Sequence, residues 1–512
     1  MKNLKRIMSN LLLAFLVLSL LLIGNVSFPA SAASVPTASN GAREYSLTFN
    51  PDNYVVKTFT LNNKTISCRA YENIVYVKKP VDIKYEVMNI YVPEEYYQGK
   101  SVGAYSAGTA PIFLPNEVGG YMPGEPGGPG MDRMNKDKPN AALVALSKGY
   151  VVAAPGARGR TTQNDVGIYT GKAPACIVDL KAAVRYLRYN AKRLPGDTEK
   201  IISNGTSAGG ALSALLGATG NNKDYEPYLQ AIGAAAARDD VYAASCYCPI
   251  TNLDNADIAY EWYFNGINNF SRMAMTMTPG GMQRSMENGT MTANQIECSN
   301  ELKKMFPKYL NSLDLKTSAG NSLTLANNGT GSFTEYIKSF VLASAQQALE
   351  RGADLSGLSW LTIKDGIVKN IDFDQYVRYV KRMKPTTAFD GLDLNNGEND
   401  LFGTKTIPAQ HFTQFGKDHS TVKGSLAKAA VIKLMNPMNY IATQGTATAR
   451  YWRIRHGAID SDTTLAVPVI LATKLKNSGY VVDFAVPWQQ GHGGDYDLDE
   501  LFAWIASVAT VK

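Results

Sequence analysis

A serine hydroxyl becomes a nucleophile where a strand ends, the chain turns sharply and a helix begins, provided a base lies within reach. Gly205-Thr206-Ser207-Ala208-Gly209 has the Gly-x-Ser-x-Gly form of such a turn. Glu199 to Ser203 before it reads as a short buried strand, and Ala211 to Gly217 after it reads as a helix. The glycines have a steric reason to be there, since bulkier residues at 205 and 209 would strike the adjoining strand and helix. Ser207 is therefore the candidate nucleophile.

Serine alone reacts poorly at neutral pH and needs an imidazole, itself oriented by a carboxylate. The chain has only four histidines. His492 lies in Gln489-Gln490-Gly491-His492-Gly493-Gly494, between the last predicted strand and the last predicted helix. That is where the order nucleophile, acid, base puts the imidazole. His456, at the end of a strand, is the rival. His411 and His419 read as structural or surface residues. The acid is expected in Gly457-Ala458-Ile459-Asp460-Ser461-Asp462. Asp460 comes directly beyond the strand and is the choice. Asp462 is close enough to serve the same pocket, and either could instead cap the helix that follows.

A tetrahedral oxyanion needs two backbone N–H donors. One is the amide of Ala208, next to the nucleophile. The other is expected from Asn116-Glu117-Val118-Gly119-Gly120-Tyr121, after an early strand, with Gly120 as the choice. The glycines from Gly124 to Gly130 lack the Gly-Lys-Ser/Thr ending of a phosphate cradle and read as flexible loop.

The elements that must position these groups alternate. Strands are read at 54–56, 59–61, 74–77, 88–92, 110–115, 150–154 and 243–250, and helices at 141–147 and 177–189. Strand–helix alternation implies an α/β fold with a mostly parallel sheet. From about Thr251 to Asn436 the rhythm breaks into helices and polar loops with few convincing strands, the clearest helices being 333–351 and 373–384. Met273, Met275 and Met277 alternate there and read as ordinary core. The alternation resumes with strands at 451–455 and 481–488 and helices at 465–478 and 498–508. The expected organisation is residues 1–32 as a signal peptide, 33–250 and 437–512 as the two parts of one core, and 251–436 as an insertion.

Composition sets bounds on function. The chain has 512 residues, 45% hydrophobic and 19% charged, enough to bury a large core. Lys2, Lys5 and Arg6 precede an apolar run, Leu11 to Ile23, and small residues at Pro29-Ala30-Ser31-Ala32, the pattern of a cleaved secretory signal. The run is short for a membrane span. Cleavage takes the formal charge from +7 to +4. With no dense basic block interleaved with aromatics, nucleic acid is not expected as a partner, nor is stable membrane insertion after cleavage. The product is expected to be secreted, free or associated with the cell surface. Five sparse cysteines do not form a disulfide framework, and Cys246 and Cys248, on one side of a strand, read as core. There is no zinc spacing. Asp393 to Glu398 departs from a calcium loop in its Gly position and its missing acid. No metal and no cofactor are expected.

Several of these segments, taken together, resemble bacterial tannases. They are Gly205 to Gly210, Asn116 to Tyr121, Arg455 to Thr463 and Gln490-Gly491-His492. The resemblance spans nearly the whole mature chain. It implies an α/β-hydrolase fold whose inserted segment is a lid, and hydrolysis of galloyl esters of hydrolysable tannins and simple gallate esters. It also implies that Lys384, Glu398 and Asp462 contact the three phenolic hydroxyls of the galloyl ring. Thr206 and Gly493 stand where fungal tannases and feruloyl esterases carry cysteines, so the fungal disulfide is absent. A feruloyl or general carboxylesterase of the same fold is the nearest alternative, a peptidase is more distant, and a non-catalytic hydrolase-fold binding protein is the alternative of another class.

Overall fold

The computed structural model describes residues 44–132, 135–278 and 281–510. Residues 1–32, where a signal peptide is expected, lie outside these residues, as do the side chains of Met273, Met275 and Met277.

Nine strands form one sheet: β1 (Val55–Leu61), β2 (Lys64–Val75), β3 (Val87–Pro93), β4 (Pro111–Pro115), β5 (Val151–Pro155), β6 (Asp197–Thr206), β7 (Ala243–Tyr247), β12 (Tyr451–Arg455) and β13 (Val481–Ala485). Their order across the sheet is β1-β2-β3-β5-β4-β6-β7-β12-β13. The first three meet their neighbours antiparallel, and every pairing from β5 to β13 is parallel. The parallel strands β4 to β7 are short and buried through most of their length, as expected of strands covered on both faces. Helices Ala141–Ser147 and Leu498–Ala509 pack on one face. Helices Ala175–Tyr189, Ala208–Ala218 and Ala466–Asn477 pack on the other, in a core continuous with residues of the 251–436 region.

β7 and β12 are neighbours in the sheet but about 200 residues apart in sequence, so the sheet is interrupted and then completed. Between them lie helices Ala293–Ser312 and Ser332–Glu350 and two antiparallel ribbons. The ribbons are β8 (Asn269–Thr278) with β9 (Gly281–Thr290), and β10 (Leu361–Lys364) with β11 (Ile367–Ile371). They correct the expectation of few strands in this region. β8 carries the alternating methionines, so their period of two marks a strand.

Two further expectations are corrected. The helix read over 373–384 ends at Val380, because Lys381 takes φ +68 and turns the chain out of it. Lys384 therefore sits in the loop beyond. The glycine-rich stretch is built into the fold, not a flexible loop. The Gly124 N–H donates to the Ala157 carbonyl at 3.0 Å, Asn89 Nδ2 to the Gly127 carbonyl at 3.0 Å, and Asn140 Nδ2 to the Gly128 carbonyl at 2.9 Å. Among the described residues no helix is long and apolar enough to cross a membrane.

Candidate active site

The site begins where β6 runs into helix Ala208–Ala218. Ser207 stands at φ +60, ψ −122, a conformation that costs roughly 1–3 kcal/mol and persists only where the surroundings fix it. Here its N–H donates to the Tyr247 carbonyl at 3.0 Å, and its own carbonyl accepts from Ala211 at 2.9 Å. A Cβ at Gly205 would fall on the Gly209 carbonyl. One at Gly209 would come 2.6 Å from Asn116 Oδ1 and 2.7 Å from the Val118 carbonyl oxygen. Only glycine lets β6, the helix and the Asn116 loop approach this closely.

The structure brings Ser207, His492 and Asp460 together. His492 Nε2 lies 2.8 Å from Ser207 Oγ, and its Nδ1 lies 2.9 Å from Asp460 Oδ2. The other Asp460 oxygen accepts from the Asp462 amide at 2.9 Å. With Nδ1–H committed to Asp460, Nε2 faces the hydroxyl as an acceptor. Burial works against the Asp460 charge, yet the His492 imidazole and the Asp462 amide hold its carboxyl below the usual carboxylate range. Burial likewise opposes charge on His492, but Asp460 and then Asp462 override it and raise the imidazole well above its ordinary value.

The rival histidines have other settings. His456 Nδ1 is 3.6 Å from Asp460 Oδ2, beyond hydrogen-bond range, and burial lowers its pKa, which keeps it neutral. His411 is buried between Asp390 (2.7 Å) and Ser420 (2.8 Å). His419 is exposed and stacks on Phe415. The helix after the acid loop is preceded by Leu465, so neither aspartate caps it.

Ala208 opens its helix, so its N–H has no intrahelical acceptor and points out of the positive end of the helix dipole. Gly120 and Tyr121 take φ +54 and +55, and the Met122 N–H donates to the Gly119 carbonyl at 2.9 Å. These are the φ signs of a type I′ turn. A left-handed tyrosine costs about 1 kcal/mol. It is held by its hydroxyl, which donates to the Ile250 carbonyl at 3.0 Å, and by the Arg160 amide, which donates to its carbonyl at 2.8 Å.

Lys384 and Asp462 pair beside the His492 imidazole, and Glu398 is close enough to act on the charge of Lys384. Lys384 Nζ donates to Asp462 Oδ1 at 3.0 Å and lies 4.3 Å above the Phe389 ring. Asp462 Oδ1 is 3.9 Å from His492 Nε2. Burial disfavours the Lys384 charge, but Asp462 and Glu398 more than offset it and raise its pKa, so the ammonium persists. Burial raises Glu398 against the pull of Lys384. Two tyrosines of the inserted segment lock this floor to the acid loop. Tyr260 donates to the Ser461 carbonyl at 2.9 Å and accepts from the Lys384 amide at 3.0 Å. Tyr376 donates to the Ala458 carbonyl at 2.6 Å.

Sequence reasoning missed Cys248. Cys246 and Cys248 do not share a side as expected, because β7 ends at Tyr247 and Cys248 takes φ +33, which swings it into the other core layer. Its thiol lies 4.0 Å from His492 Nε2 and donates to the Gly493 carbonyl at 3.3 Å. Burial raises its pKa, so it stays a thiol and does not compete with Ser207. All five cysteines are free and buried. Arg160 and the tyrosines were also missed. Only the place of Arg160, just past the carboxyl end of a parallel strand, could have drawn attention to it.

The BD-FAE family matches residues 129–307. Esterase LipQ of Mycobacterium tuberculosis is 34% identical over 101 residues, 19% of this chain and 23% of that esterase. The crystal structure of Fusobacterium nucleatum tannase is 53% identical, covers 91% of this chain and 100% of its own, and superposes with a TM-score of 0.87. Tannase from Lactobacillus plantarum is 45% identical over the same shares, also with a TM-score of 0.87. A relative this similar along its entire length carries more than a shared fold, and the chain accordingly belongs to the bacterial tannases, ester hydrolases built on the α/β-hydrolase fold.

Proposed function

We propose that the enzyme hydrolyses galloyl esters through a galloyl-enzyme on Ser207. His492 takes the hydroxyl proton as Ser207 Oγ attacks the ester carbonyl. Asp460 steadies the imidazolium, and the amides of Ala208 and Gly120 receive the oxyanion. His492 then gives the proton to the departing alcohol. Water, activated by the same imidazole, attacks the acyl-enzyme and releases gallate. Lys384, Glu398 and Asp462 hold the ring: carboxylates accept from phenolic O–H groups and the ammonium donates to a phenolic oxygen. The observation that carries this reading is the continuous run from Ser207 Oγ through His492 to Asp460, opening beside the Lys384–Asp462 pair. It is further supported by a related tannin acyl hydrolase, 44% identical, solved in complex with ethyl gallate and with 3,4-dihydroxybenzoate.

A polar floor that loses its partners penalises an ester without hydroxyls. Methyl gallate should exceed methyl benzoate in kcat/KM by roughly 10³-fold or more, and Glu398→Gln should shrink that ratio. Turnover of methyl ferulate as fast as methyl gallate would instead assign the enzyme to the feruloyl esterases. Assaying the culture medium alongside the cell lysate tests export at the same time. Gallate release confined to the lysate would contradict the signal-peptide reading.

The pH profile follows from the raised imidazole. The base must be neutral to accept the serine proton, so kcat/KM falls as pH drops through the free-enzyme pKa of His492. Because Asp460 and Asp462 raise that pKa, the acid limb should lie above the ordinary imidazole value of 6.5. Asp462→Asn removes one of the two carboxylates and should move the limb to lower pH. A limb at or below 6.5, or one unmoved by the substitution, would contradict the electrostatic assignment.

A further inference from the structure

The turn assigned to the second oxyanion donor is tied to the inserted segment by one side chain. Arg160 Nε donates to the Gly120 carbonyl at 2.9 Å, and the Arg160 amide donates to the Tyr121 carbonyl at 2.8 Å. The other end of the guanidinium reaches Asp400, Nη1 to Oδ2 at 2.5 Å. Asp400 sits on the short helix Gly397–Leu401, two residues after Glu398, and is also bound by the largely buried ammonium of Lys172. The guanidinium lies against Gly397, where a Cβ would come 3.1 Å from Arg160 Cζ.

Peptide planarity makes these contacts matter for catalysis. The Gly120 N–H shares a plane with the Gly119 carbonyl and points opposite to it. That carbonyl is fixed by Met122, and the next two carbonyls of the turn, at Gly120 and Tyr121, are both fixed by Arg160. With φ positive at two successive positions, one of them a tyrosine, the turn is not the resting conformation of a free loop. An oxyanion donor is effective only when it is aimed beforehand.

We propose that Arg160 is a positioning residue that aims the Gly120 amide into the oxyanion hole, and that Asp400, steadied by Lys172, holds Arg160 in place. The clamp joins the turn that stabilises the transition state to the helix that carries Glu398. The inference rests on the assignment of Gly120 given above.

The test compares Arg160→Ala, Arg160→Lys and Asp400→Asn on two esters, methyl gallate and p-nitrophenyl acetate, which has no phenolic hydroxyls for Glu398 to read. Misaiming one donor should lower kcat about 10- to 100-fold for Arg160→Ala, by a similar factor on both esters, with KM within about threefold of the parent. Arg160→Lys keeps the charge but not the fork and should lie between the two. Asp400→Asn should show the same kcat pattern more weakly. Added guanidinium chloride at concentrations that leave the parent folded should restore part of the Arg160→Ala rate. The clamp is overturned if kcat stays within twofold of the parent on both esters, if the loss is confined to methyl gallate, or if it appears only in KM. Should Arg160→Ala fail to fold, Arg160→Lys and Asp400→Asn decide by the same criteria. Were methyl gallate inert with the parent enzyme, the galloyl reading would fail, while the p-nitrophenyl acetate arm would still report on the clamp.

Discussion

Ser207→Ala should lower kcat for methyl gallate by about 10⁵- to 10⁶-fold, the scale seen when a triad nucleophile is removed from a serine hydrolase. The loss comes from the missing Oγ alone. Alanine keeps the Cβ at φ +60, so the turn and its bonds to Tyr247 and Ala211 are preserved. Its effect on stability should be small, because the lost contact to His492 is a single solvent-accessible hydrogen bond. The residual rate should also be insensitive to a second change, His492→Ala. A base with no hydroxyl to deprotonate contributes little, and the effects of residues that act as a unit do not add. The measurement is single-turnover gallate release by the two single variants and the double variant. Additive losses would mean that the two residues act separately.

Asp460→Asn should cost about 10⁴-fold in kcat with the fold intact, and the reason is the tautomer. Asp460 accepts two hydrogen bonds, from His492 Nδ1–H and from the Asp462 amide. An amide side chain offers one oxygen and one NH₂ group. If its oxygen satisfies the Asp462 amide, its NH₂ faces Nδ1, which must then give up its proton. Nε2 becomes a donor aimed at Ser207 Oγ and can no longer accept. His456 cannot substitute, since its Nδ1 lies 3.6 Å from Asp460, beyond hydrogen-bond distance. A loss of only a few-fold would contradict the assignment of the orienting role to Asp460.

Much of this architecture was legible in the sequence because local signals agreed. Strand, Gly-x-Ser-x-Gly and helix coincide at β6, and their steric logic is local. β12 and helix 466–477 frame the acid loop, and short apolar runs marked the buried parallel strands. What the sequence hid was set by single backbone torsions and by contacts between remote segments. Lys381 at φ +68 ends a helix whose apolar period would have carried it further. Cys248 at φ +33 turns a presumed core thiol toward the His492 imidazole. The glycine-rich stretch looks like a linker until its carbonyls meet Asn89 and Asn140. The Arg160–Asp400 contact spans 240 positions, and no local pattern encodes it. Lys384, Glu398 and Asp462 were named through family resemblance. Taken singly, a lysine and a glutamate in polar loops look like surface residues, and only the fold of the 251–436 region brings them beside Asp462.

The role of Ser207 can be measured directly by treating the enzyme with a serine-directed organophosphonate and locating the adduct by peptide mass spectrometry while gallate release is followed. One adduct per chain is expected, on the peptide carrying Ser207, formed in step with the loss of gallate release and absent from Ser207→Ala. An adduct on a different residue, or full gallate release from protein fully modified at Ser207, would contradict the assignment.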